Sequence, residues 1–277
     1  MRHPGPILFA LALALAPALP ARAADDRDNP LGDSASWQAI RGDVLGDAPV
    51  APAGDLFVLD APYRAEDAAT VPLHIRQTDP GTPIRGATVV IDENPAPVAA
   101  TFVYGDAMAP LDFELRVRVN QYSNVRVIAD TARGLRMAGA FVKASGGCSA
   151  PATKDPEAAL AGMGEMRLRL FGAPDDAAAE ARVSTPRREA QIMIRHPNYS
   201  GLQRDQVTHL FITAHFIDRL EVRQGADLLF SMEGGISISE NPVFRFAYDD
   251  NGAPALTVRA TDTEGNVFEH VLPKAAT

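Results

Sequence analysis

Apolar and polar residues alternate with a period of two along most of this chain. Val71, Leu73 and Ile75 alternate with Pro72, His74 and Arg76. From 113 to 119 the pattern is clearest: Phe113, Leu115, Val117 and Val119 share one face, and Glu114, Arg116 and Arg118 share the other. Successive side chains of a strand point to opposite faces, so this period predicts half-buried strands. Further strands are predicted at 56–59, 87–91, 101–104 and 135–142, and from Val125 and Val127 onward. About seven short strands separated by turn signals indicate an antiparallel β-sandwich. One stretch breaks the rule: Trp37, Ile40 and Val44 fall at helical spacing behind a cap supplied by Ser34 or Ser36.

The pattern changes after 150. Asp155-Pro156 predicts a helix start, with Leu160 and Met163 on its apolar side and Gly164 at its end. Met166, Leu168 and Leu170 alternate as a strand, and residues 172–189 turn polar and carry two prolines. A second β-rich block begins near Ala190 with Ile192 and Ile194, followed by a long apolar stretch over 207–217. Hairpins are predicted across 224–227, 249–252 and 263–266. The fold class is therefore all-β: two antiparallel β-sandwich domains, 31–150 and 190–277, joined by a helix, strand and linker segment over 151–189.

The first residues change the picture of where such a chain works. Arg2 and His3, an apolar run from Ile7 to Leu19 and Ala21-Arg22-Ala23 form an export signal with cleavage expected after Ala23. The run is too short to span a bilayer, so no membrane anchor is expected after cleavage. The chain carries a net charge of −9, and cleavage removes two arginines and makes it more acidic. An acidic chain without a basic cluster is a poor match for nucleic acid.

There is one cysteine, Cys148, within Lys143-Ala-Ser-Gly-Gly-Cys-Ser-Ala-Pro151. Exported proteins usually spend cysteines in pairs, so a single one calls for a reactive thiol, an intermolecular bond or chance. It excludes an intramolecular disulfide, and the core must hold the fold unaided; a chain 46% hydrophobic can do so. Gly146, Gly147, Ser149 and Ala150 keep the surroundings small, which predicts an accessible thiol suited to sulfur exchange. An incidental cysteine in a flexible segment has the same composition.

Other chemistry is sparse. His209 and His215, six apart on one strand, would stand roughly 20 Å apart, too far for one metal. No H-x-H or H-x-x-x-H pair occurs, so no zinc or copper site is expected. Asp92-Glu-Asn-Pro95 has paired carboxylates but reads as a polar turn, and His196-Pro-Asn-Tyr-Ser-Gly201 as turn chemistry with a histidine placed to line an interface. No nucleophile elbow or phosphate-binding loop is present.

Four segments together resemble a known family. Asp92-Glu-Asn-Pro-Ala-Pro97 and Gly146-Gly-Cys148 resemble SoxY, the sulfur-carrier subunit of bacterial periplasmic sulfur oxidation. His196-Pro-Asn-Tyr-Ser-Gly201 and Ile236-Ser-Ile-Ser-Glu-Asn-Pro242 resemble its partner SoxZ. Their order in one chain is similar to the SoxYZ-like carriers labelled quinoprotein dehydrogenase-associated. The resemblance implies immunoglobulin-like sandwiches, a non-catalytic carrier without cofactor or metal, and periplasmic partner enzymes of sulfur oxidation or of a quinoprotein dehydrogenase system. It assigns covalent sulfur attachment to Cys148 and arm flexibility to Gly146 and Gly147. The family arm reads Gly-Gly-Cys-Gly-Gly and ends its chain, whereas Ser149-Ala-Pro151 and a whole second block follow here. A loop tethered over 144–157 reaches at most roughly 20 Å. Two rival functions share the same sequence features: a structural module for a periplasmic dehydrogenase, and a redox thiol sensor.

Overall fold

The computed structural model describes residues 34–151, 160–171 and 187–274. A helix, α1 (Ala35–Leu45), opens the described chain, and Ser34 is its cap: the Ser34 side chain accepts from the Trp37 backbone N–H. Seven of the remaining elements belong to the first block: β1 (Val50–Pro52), β2 (Phe57–Asp60), β3 (Val71–Gln77), β4 (Ile84–Ile91), β5 (Val98–Tyr104), β6 (Asp112–Val117) and β7 (Ser123–Thr131). β8 (Leu135–Val142) leads into the cysteine segment, and β9 (Met166–Phe171) follows it. The second block holds β10 (Arg187–Ile194), β11 (Ile217–Gln224), β12 (Asp227–Gly234), β13 (Val243–Asp249), β14 (Ala255–Asp262) and β15 (Val267–Pro273).

These strands make two facing sheets, ordered β1-β8-β7-β4-β5-β12-β11-β14-β15 and β2-β3-β6-β13-β10-β9. Every strand pair is antiparallel except β1 with β8. The all-β sandwich class expected from the alternation is what forms. What alternation does not show is the joint between the blocks. Both sheets run through it: β5 pairs with β12, Met232 opposite Phe102, and β6 pairs with β13, Phe244 opposite Leu115.

The joint is therefore core rather than docking surface. Phe102, Phe113, Phe230 and Phe244 meet there, with Phe113 centred 5.1 Å from both Phe102 and Phe230. Each buried ring contributes about 1.5–3 kcal/mol, so the seam is as apolar as the interior on either side. A single core cluster spans both blocks, from Val71 to Leu256. Helix α1 covers the outer face of the larger sheet, placing Trp37 and Leu45 on Val90, Ile128 and Met137.

Residues 155–159 of the expected helix and 172–186 of the linker lie outside the described residues; the helix's expected end is a turn, in which the Met163 N–H donates to the Leu160 carbonyl, and β10 already begins at Arg187. One predicted element differs. The apolar stretch 207–217 is a surface loop up to Ile217, with Val207, Leu210 and Phe211 exposed. It lacks the period of two that a strand needs, and His209 takes a positive φ of 58° that breaks an extended run. The Arg204 guanidinium covers Phe211 at 4.0 Å and steadies the loop.

Candidate functional site

Beyond β8 the chain runs back against the end of β6. The Gly146 N–H donates to the Asn120 carbonyl (2.8 Å) and the Gly147 N–H to the Val119 carbonyl (3.0 Å). Gly146 has φ +79°, a left-handed conformation that suits glycine. Gly147 is required for a different reason: a Cβ there would stand 2.0 Å from the Ala68 carbonyl oxygen. The Ser149 N–H returns to the Gly146 carbonyl and closes a turn around Cys148.

Within that turn Cys148 is 0% exposed. This corrects the accessible thiol predicted from its small neighbours. Small residues permit close packing as readily as open access, and here two glycines bring backbone against backbone and draw the cysteine under cover. Gly146 and Gly147, expected as flexible joints, are in this structure hydrogen-bonded turn residues. Burial pushes the Cys148 thiol up to about 11, against the opposing pull of the Arg118 guanidinium. A thiol in that state is protonated at neutral pH and a weak nucleophile.

The second block supplies the cover. Ser200 Oγ donates to the Cys148 carbonyl, and Gln203 Nε2 donates to the Ala150 carbonyl at 3.1 Å. Both come from the segment that starts at His196. Asn198 takes φ 41° and anchors it, with Nδ2 donating to the Ser239 carbonyl and Oδ1 accepting from the Ile217 N–H. Asn241 and His196 exchange backbone and side-chain bonds, tying 196–201 to 236–242. From the first block, Asn94 reaches across: its Nδ2 donates to Ser237 Oγ and to the Arg118 carbonyl, and its Oδ1 accepts from the Asn120 N–H. The four sequence segments that stood apart along the chain thus converge on one end of the seam.

At their centre lies Arg118, which the alternation placed on the outward polar face with Glu114 and Arg116. It is buried, because β6 ends at Val117 and the cysteine turn folds over the next residue. Its Nη1 donates to the Gly147 carbonyl (3.2 Å) and its Nη2 to the Asn198 carbonyl (3.3 Å). Burial pushes its pKa down, while Glu240, Cys148 and Asp67 pull it up. Nothing in a period of two separates Arg118 from Arg116; only the three-dimensional path of the turn does.

Spacing along the chain also missed a histidine pair. His196 and His215, brought together by pairing of Tyr199 with His215, have ring centres 4.8 Å apart and share Asp262. His215 Nε2 lies 2.7 Å and His196 Nε2 3.4 Å from Asp262 Oδ2. Candidate ligand atoms of these three residues fall within 4.8 Å of one another, a spread that a metal ion spans. The Asp262 carboxylate, however, also accepts from Asn266 Nδ2 and from the Glu264 and Asn266 N–H groups. Burial works against its charge, but hydrogen bonds led by those of Asn266 and His215 prevail and hold it at about 2. His196 is pushed down, chiefly by burial, and its Nδ1 accepts from the Asn198 N–H, so its proton sits on Nε2 toward Asp262. The cluster works as a clamp on the 196–201 segment.

The fold and the site thus define a two-sheet β-protein that places its sole cysteine in a turn held by both halves. Family comparison defines it further. The family model of sulfur oxidation protein SoxY matches residues 41–148, and that of sulphur oxidation protein SoxZ matches residues 179–273. The chain belongs to these families as a SoxY–SoxZ fusion. It is also similar to a solved structure of the sulfur carrier protein SoxY from Chlorobium limicola f thiosulfatophilum. That likeness has 23% identity and a TM-score of 0.34, and covers 40% of this chain and 97% of that one. A search of curated proteins found no match. The two families indicate a sulfur-oxidation carrier, a kind of protein that works with partner sulfur-oxidation enzymes.

Proposed function

We propose that this chain is a periplasmic carrier that holds sulfur intermediates covalently on Cys148 and passes them between partner enzymes, within a system linked to a quinoprotein dehydrogenase. It acts as a carrier and not as a catalyst. The observation that carries this reading is a coincidence of place: the SoxY match ends at residue 148, the sole cysteine, and four motifs from both halves enclose that residue. The Arg2 to Ala23 signal pattern supports export.

A buried thiol must be uncovered to work. Five hydrogen bonds close the turn: those of the Gly146 and Gly147 N–H groups and of Arg118 on one side, and of Ser200 and Gln203 on the other. At about 0.5–1.5 kcal/mol net each, they place opening at roughly 2.5–7.5 kcal/mol, within the range of local openings. Opening returns the thiol to ordinary acidity and reactivity, so the closed turn protects cargo and the open turn exchanges it. The covering loop displays Val207, Leu210 and Phe211, beside a cleft of about 400 Å³ shared with Ser149 and Pro151. Exposed apolar residues next to a thiol suit docking of a partner enzyme.

The complete burial of Cys148 favours a second reading, a structural module with an incidental cysteine. Thiol labelling separates the two. Under the carrier reading, labelling in native buffer is slow but far faster than global unfolding, and intact mass of protein from its own periplasm shows added sulfur. Labelling that keeps pace with global unfolding, on protein of unmodified mass, would overturn it.

A further inference from the structure

Arg118 is the one charged group among those that close the turn. Its guanidinium is 1% exposed, and its hydrogen bonds go only to two backbone carbonyls, those of Gly147 and Asn198. Its Nε has no hydrogen-bond partner, and although the Glu240 and Asp67 carboxylates act on it electrostatically, no ion pair closes on it among the described residues. Burying a charge without its opposite is unfavourable, and buried donors are almost always satisfied. The same guanidinium bonds the carbonyl of Gly147, the residue that precedes Cys148, and cation and thiol act on each other electrostatically.

We propose that Arg118 is the counter-ion of the cargo: a negatively charged sulfur group bonded to Cys148 Sγ occupies the position at this guanidinium that a carboxylate would otherwise fill. The inference rests on the carrier reading of Cys148 and adds the charge of what is carried. A guanidinium offers a planar fork of donors, and a sulfonate terminus offers several acceptor oxygens, so the two fit as arginine fits other oxyanions. A neutral group on the same sulfur would leave the cation as unmatched as before. The closed turn therefore selects anionic cargo and holds it until opening.

The test compares two adducts that differ in charge. Tetrathionate converts the Cys148 thiolate to Cys–S–S–SO₃⁻: the sulfur–sulfur bond to Sγ forms, the central bond of tetrathionate breaks, and thiosulfate leaves with the electron pair. Methyl methanethiosulfonate gives the neutral Cys–S–S–CH₃ with methanesulfinate leaving. Both are formed on the full chain in native buffer and verified by intact mass, and their melting temperatures are compared. The anionic adduct should melt about 5 °C above the neutral one, the size a charge-assisted contact gives in a chain of this length. Arg118→Lys should keep that order with a smaller gap, and Arg118→Met should abolish or reverse it. Equal melting of the two wild-type adducts, or a neutral adduct that melts higher, overturns the proposal even if Arg118→Met fails to fold. A gap that survives in Arg118→Met also overturns it. If neither adduct forms in native buffer, the carrier reading itself fails and takes this inference with it; adducts that form without charge preference remove only the role of Arg118.

Discussion

Arg118 and Arg126 lie in the same half of the chain, both sealed from solvent, and their guanidinium groups have opposite surroundings. Arg126 Nε and Nη2 meet both oxygens of Asp92, the ring of Trp37 lies 4.5 Å from its Cζ, and Ser34 Oγ donates to the same carboxylate. There cation, anion and cover are present together. Arg118 hydrogen-bonds only carbonyls, feels Glu240 and Asp67 without an ion pair, and lies under a cover that is itself the cysteine turn. Arg126 is thus held by an ion pair that belongs to the architecture, whereas Arg118 is the group to which the proposal assigns a role.

Removing an anion tests the contrast most strongly. Asp92→Asn leaves Arg126 buried and unpaired, and should cost about 3–5 kcal/mol in denaturant unfolding. Arg118→Met strands no buried ion-paired carboxylate, because Glu240 and Asp67 keep access to solvent, so its cost should stay under about 2 kcal/mol even though two carbonyls lose their donors. Equal losses from the two variants would break the comparison. The next effect is local. Ser200→Ala deletes the bond to the Cys148 carbonyl, worth about 1 kcal/mol, and should raise native thiol labelling about fivefold with little change in melting temperature. A rise in labelling matched by an equal loss of global stability would mean that the turn does not open on its own.

The smallest effect is alkaline. Cys148 has a folded pKa of about 11, above the ordinary thiol value of about 8.5, so the fold favours the protonated form. Its contribution is intact below about pH 8.5 and declines as pH rises toward 11. Wild-type stability should thus fall relative to Cys148→Ala over that window, and parallel pH profiles of the two proteins would contradict the buried thiol. Burial also makes Cys148→Ser costlier than a surface change, because an enclosed hydroxyl must find a hydrogen-bond partner.

How much of this was legible in the residues follows from which forces are local. Strands such as Val71–Gln77 and Asp112–Val117 were readable because one buried face imposes a period of two. The Ser34 cap was readable to within two positions, since capping is a matter of neighbours. The seam was not. Phe102 facing Met232 is a pairing between distant strands that obeys the same alternation as any other pair. The site was legible as a set of motifs and illegible as a geometry: Cys148 was found because it is unique, Arg118 was lost among the outward arginines of its strand, and the meeting of His196, His215 and Asp262 is a product of topology.

The shared sheets also set a schedule. A chain delivered N-terminus first completes its first block with β5 and β6 as open edges, each with an apolar face meant for β12 and β13. Open edges are templates for pairing with other chains. The C-terminal block arrives roughly 100 residues later, about 5–20 s at common rates of synthesis. Through that interval the nascent half is most exposed to self-association, and encoding both halves in one polypeptide holds the correct partner strands at high local concentration when the interval ends.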